Sequence, residues 1–202
     1  MKQNISCYLI RMPGKVYTQL AGVANERFGF VTPDDARDLG ISPMNLVRMA
    51  ERGQIERRGT GLYRFPLTPA GSLDAYMEAT LWPRGARGFL SHETALELYE
   101  LSDVHPARIH ITVPHGHRIR RQVPPAYRIH HEDLEPGQIS LHEGIAVVTP
   151  AHAIRQAHEA HLGPALVGQA IDQGEQNGRL TRRQASELRR KMGIRRGDGA
   201  RR

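Results

Sequence analysis

Apolar residues recur at helical spacing at Leu20, Val23, Ala24 and Phe28, which predicts a first helix over residues 17–28. Two shorter helices follow. Thr32-Pro33-Asp34-Asp35 combines a capping residue, a proline suited to the first helical position and two acids for the positive end of the helix dipole. Leu39-Gly40 closes that helix. Ser42-Pro43 opens the next by the same device, and Gly53 ends it. Ile55-Glu56-Arg57 and Leu62-Tyr63-Arg64-Phe65 then read as strands around the turn Arg58-Gly59-Thr60-Gly61. Helix, turn, helix and basic hairpin is the order of a winged helix-turn-helix.

A break follows at Pro66-Leu67-Thr68-Pro69-Ala70-Gly71, where two prolines and a glycine cannot continue a helix or a central strand. Beyond it the pattern changes. Ser72 caps a helix carrying Leu73, Tyr76, Met77, Thr80 and Leu81, and Ser91 caps another over 92–101. Residues 108–113 and 127–131 alternate apolar and polar as half-buried strands do, and 139–141 with 145–148 flank a Glu143-Gly144 turn. Thr149-Pro150, Gly163-Pro164 and the capping box Thr181-Arg182-Arg183-Gln184 begin three further helices. The expected fold is therefore α+β: an N-terminal winged helix-turn-helix over 1–68, a mixed α+β domain over 72–193, and a basic disordered tail over 194–202. Residues 1–16 fit an extra helical turn or a loose arm.

Charge sharpens this picture. The net charge of +7 is unevenly spread. Residues 1–65 carry 10 Lys/Arg against 6 Asp/Glu, residues 66–178 carry 8 against 13, and residues 179–202 carry 10 against 2. Two basic ends around an acidic middle suit a protein whose ends meet nucleic acid. The second helix of the pair carries the chemistry. Asn45, Arg48 and Arg52 lie three and four apart on one face, while Leu46, Val47 and Ala50 lie on another side. Arg can pair with guanine and Asn with adenine in the major groove, and Arg57, Arg58 and Arg64 on the hairpin would reach phosphates or the minor groove. The candidate DNA-binding residues are thus Ser42, Asn45, Arg48, Arg52, Arg57, Arg58 and Arg64, with double-stranded DNA as the partner.

Other chemistries have weaker support. Cys7 is the single cysteine, so there is no internal disulfide and no cysteine-based zinc site. The start lacks a secretory core, no apolar run spans a bilayer, and a reducing cytoplasm is the expected compartment. Ten of the eleven histidines fall between His105 and His161. His115-Gly116-His117 could bring two imidazoles together, but His130 and His131 alternate across a strand and His152 and His158 do not share a helix face. No HExxH motif or Cys pair accompanies them, so neither a metal nor any other cofactor is expected. Ser91-His92-Glu93 is contiguous, unlike a triad converging from separate segments, and no catalytic residue is assigned. A ribonuclease using His115 and His117 and a protein-interaction adaptor built on the winged domain stand as alternatives from other classes. The Arg-rich segments at 118–121 and 182–191 are basic patches, and Leu188 and Met192 give the last helix an apolar side.

The segments FVTPDDARDLGIS and RGTGLYRF, followed by GFLSHETALELYELSDVHPARIHITVPHGHRIRR and GIAVVTPAHAIRQA, resemble the AbiEi family of abortive-infection antitoxins, the antitoxin half of a type IV toxin–antitoxin pair used in phage defence. The resemblance runs over about residues 17–192. It implies a non-enzymatic protein whose N-terminal domain represses its own operon by binding the operator. It implies also that the C-terminal domain helps neutralise a nucleotidyltransferase-like toxin.

Overall fold

The computed structural model describes residues 14–66 and 69–195. Residues 1–13, for which the sequence left an arm or a helical turn open, lie outside them, as does 196–202 of the expected tail. The chain clusters into two compact units, Met1–Ala70 and Gly71–Arg202.

The first unit holds α1 (Lys15–Asn25), β1 (Phe30–Val31), α2 (Pro33–Asp38), α3 (Met44–Glu51), β2 (Glu56–Gly59) and β3 (Leu62–Arg64). α1 stops before Phe28, which takes φ 54°. Gly29 then bonds back to the Ala24 carbonyl, so the chain turns instead of continuing the helix. α2 is capped as its sequence dictates. Thr32 accepts from the Asp35 N–H, and the Asp35 carboxylate accepts from the Thr32 N–H at 2.8 Å and hydroxyl at 2.7 Å. The same carboxylate pairs with Arg27 beyond the end of α1, fastening α1 to α2. Gly40, at φ 68°, lets the Ile41 N–H reach the Ala36 carbonyl and buries Ile41 in the turn to α3. The hairpin β2–β3 gains a third strand the sequence analysis missed: β1 pairs antiparallel with β3, giving the order β1-β3-β2. Leu20, Val31, Leu46 and Phe65 fill the core, with Tyr17 edge-on to Phe65 at 5.0 Å.

The second unit has a five-stranded mixed sheet in the order β6-β5-β4-β8-β7. Its elements are α4 (Asp74–Leu81), β4 (Phe89–Leu90), α5 (His92–Leu98), β5 (Ile109–Val113), β6 (Tyr127–His131), β7 (Ile139–His142), β8 (Ile145–Val148), α6 (Pro150–Glu159), α7 (Pro164–Gln176) and α8 (Arg182–Met192). β4 runs antiparallel to β5 and parallel to β8, while β5 and β6 are parallel. All four residues of β8 are buried, as a strand covered on both faces requires. Gly88 permits the approach of α4: a Cβ there would lie 2.7 Å from Ile111 Cγ2 and 3.1 Å from the Thr80 carbonyl. No helix among the described residues is long and apolar enough to cross a membrane.

Three local expectations are corrected. Ser72 does not cap α4, which begins at Asp74 after Leu73 and without a side-chain cap. Ser91 occupies the cap position of α5, but its hydroxyl lies 3.0 Å from His92 Nδ1 instead of bonding a helix N–H. The tail does not begin at Ile194. That residue is buried, and its N–H bonds the Arg189 carbonyl past the left-handed Gly193.

Candidate functional site

α3 follows the α2 turn through Ser42 and Pro43. The Ser42 hydroxyl accepts from the Met44 N–H at 3.4 Å, and the Asn45 N–H bonds the Ser42 carbonyl at 2.9 Å. Ser42 thus starts the turn that becomes α3, although the regular helix begins at Met44. Leu46 and Met49 are the residues α3 buries, whereas Val47 and Ala50 are half-buried. The helix is therefore rotated relative to the expectation that Val47 faces inward. Its outer face presents Met44, Arg48, Glu51 and Arg52, with Asn45 half-buried at the flank. Met44 is 53% exposed, an unusual state for a large apolar side chain.

The hairpin residues divide in two. Arg57 and Arg58 sit on β2, all of whose residues are exposed; Arg58 pairs with Glu56 at 3.0 Å, and Arg57 Nε donates to the Gly59 carbonyl at 3.5 Å. Arg64 lies on the central strand β3, half-buried, with its guanidinium 5.7 Å from the centroid of the Phe30 ring. Of the seven candidate residues, Ser42, Arg48, Arg52, Arg57 and Arg58 are exposed, and Asn45 and Arg64 are partly withdrawn into the unit.

Residues 20–66 match the family model described as transcriptional regulator, AbiEi antitoxin. Over this segment the chain is similar to AbiEi antitoxin regulators. That AbiEi match takes in α2, α3 and the hairpin, the same elements that carry the exposed arginines. The whole chain is similar in fold to the RV2827C protein from Mycobacterium tuberculosis, at a TM-score of 0.52 and 19% identity over 92% of this chain and 80% of that one. No curated protein matches it.

The second unit assembles a group of side chains outside the matched AbiEi segment. His92 opens α5, His110 lies on β5 and His130 on β6, and one ring nitrogen from each falls within 4.8 Å of the others. The His92 and His130 rings stack at 3.7 Å, and His110 is 5.1 Å from His130. Alternation explains the convergence. His110 and Thr112 point to the face opposite Ile111, and the parallel register sets Thr112 beside His130. His92 has φ 52°, a left-handed conformation unusual for a residue with a side chain. Burial first, then the neighbouring His130 and His110, pushes His92 down to about 3. Burial and Arg128 push His110 to about 4, and burial, His110 and Arg128 push His130 to about 4. All three are neutral imidazoles at neutral pH.

A hydrogen-bond network backs this group. The His92 N–H donates to Gln156 Oε1 at 3.3 Å, and Gln156 Nε2 donates to Glu132 at 2.5 Å. Glu132 also receives Arg155 at 2.8 Å and lies 3.1 Å from His152 Nε2. Burial pushes the Glu132 carboxyl up, but the bonds from Gln156, Arg155 and His152 outweigh it and hold the group below its ordinary value.

The histidines singled out from sequence lie elsewhere. His115 is exposed, with its backbone N–H on Asp133, and His117 is half-buried. The sequence analysis missed the converging trio because it is made by strand register across three segments. The available signal was the polar pair His110 and Thr112 at alternate positions on one face of β5. In the basic patch of α8, Arg189 is mostly buried and pairs with Asp172 and Glu175 of α7. Leu188 and Met192 line a groove between α6 and α8.

Proposed function

We propose that this chain is a DNA-binding transcriptional repressor of its own operon and an antitoxin acting against a nucleotidyltransferase-like toxin. The observation that carries the reading is the outer face of α3, where Arg48 and Arg52 project from the second helix of a helix-turn-helix that lies in the matched regulator segment. An exposed Arg at this position suits a bidentate contact to guanine, with Asn45 at the flank. Arg57 and Arg58 on the exposed strand of the wing suit phosphate contacts. The second unit, with its α6–α8 groove, is left for the toxin, and no catalytic step is assigned to it.

The test is a gel shift on DNA upstream of the chain's own gene against a scrambled duplex of equal length. The wild type should prefer the upstream DNA. Arg48→Ala should lower that affinity by about 1–3 kcal/mol and relax the preference at one base pair. Equal affinity of the wild type for both duplexes would overturn the repressor reading.

A further inference from the structure

We propose that His92, His110 and His130 form a binding site for a divalent transition-metal ion of the zinc class. The residues come from three separate segments, the start of α5, β5 and β6, and their ring nitrogens already lie within 4.8 Å of one another. Tetrahedral zinc, with bonds of about 2.0–2.1 Å to imidazole, sets its ligand nitrogens about 3.3 Å apart. His130 is the ring with room to turn, being half-buried while His92 and His110 are 8% and 4% exposed.

The hydrogen bonding assigns the atoms. His92 Nδ1 lies 3.0 Å from the Ser91 hydroxyl, which leaves Nε2 as its ligand atom. That serine acts as the outer partner that fixes ring orientation in metal-histidine sites, and this explains why it is not used as a helix cap. His110 Nδ1 and His130 Nε2 are buried and have no hydrogen-bond partner, and beside them the Thr112 hydroxyl oxygen is also buried without one. Buried polar atoms are nearly always paired, so three on one face of two adjacent strands point to a ligand shared among them. The chemistry of the set selects the ion. Neutral imidazoles suit Zn²⁺, Co²⁺, Ni²⁺ or Cu²⁺ and not Mg²⁺ or Ca²⁺, which take oxygen ligands. Arg128, opposite His110 in the register, opposes a cation. Glu132, two residues beyond His130, favours one, and Gln156 links its carboxylate to the His92 backbone. Such an ion would fasten the start of α5 to β5 and β6 and hold the second unit together.

The experiment uses the full chain, stripped with EDTA and titrated with Co²⁺ as an optical probe and with Zn²⁺. One Co²⁺ per chain should produce the intense visible absorption of a low-coordinate imidazole site, Zn²⁺ should displace it, and Zn²⁺ but not Mg²⁺ should raise the melting temperature. His130→Gln, chosen because the residue is half-buried, should keep the circular-dichroism spectrum and lose at least tenfold in Co²⁺ affinity. The pair His115→Ala and His117→Ala should bind as the wild type does. Absence of a saturable cobalt band in the wild type would overturn the proposal, as would a band retained by His130→Gln and lost with His115 and His117.

Discussion

Asp35 serves two helices at once. Its carboxylate completes the capping box of α2 and receives Arg27 from the end of α1, all at 6% exposure. Asp35→Ala removes the cap contact and leaves the Thr32 N–H without its acceptor, so unfolding of the first unit should become easier by about 1–3 kcal/mol, read by urea denaturation. In the second unit His152 is held below the ordinary histidine value by burial first and by Arg155 next, against the pull of Glu132 and Glu159. A group with a lowered folded value favours folding when neutral. Its contribution is complete above the unfolded value of about 6.5 and is lost as pH falls below it. His152→Gln keeps a donor for Glu132 but cannot take up the proton. Its stability should therefore fall less steeply than that of the wild type between pH 7 and pH 5, and equal slopes would remove His152 from the acid response.

At the scale of elements, the wing and α3 should differ in what they read. Arg57→Ala with Arg58→Ala should weaken binding to the operator and to random DNA alike, and should reduce the slope of log affinity against log salt by about 1–2, because phosphate contacts act through counterion release. An unchanged salt slope would mean that β2 faces away from the duplex. Elements with local signals were legible in the sequence. The Thr32 cap and the Thr181 capping box are present as written, the alternation over 127–131 gave the bounds of β6, and the apolar run after the Glu143-Gly144 turn gave those of β8. β1 and β4 were not legible, since a two-residue strand is too short to show a period and exists only because β3 and β5 lie beside it. The same reason hid the histidine trio, whose members are far apart in the chain and meet through register. Arg189 read as part of a free basic patch because its partners, Asp172 and Glu175, sit on another helix.

For the whole molecule, each unit has its own sheet and buried residues, so the two proposed activities can be tested separately. Arg48→Ala with Arg52→Ala alters two exposed side chains and should change stability by about 0.5 kcal/mol or less. In the full chain it should abolish repression in a promoter reporter while a growth-rescue assay against the toxin is unaffected. Loss of rescue at an unchanged melting temperature would show that the DNA face serves both roles. The sheet topology also sets a timetable. Unit 1 has all three strands once Arg64 is made, and its longest pairing, Phe30 with Arg64, spans less of the chain than that of Leu90 with Val147 in unit 2. Unit 2 cannot complete its sheet so early, because β4, at its centre, waits for β5 on one side and for β8, reached by a parallel crossover, on the other. Pairings of that separation form late, since the loop between them must close first. During synthesis unit 1 therefore folds while the half-made sheet behind it still exposes the edges of β4 and β5. A ribosome that stalls before Val148 releases a chain whose first unit is folded and whose second is a substrate for proteases.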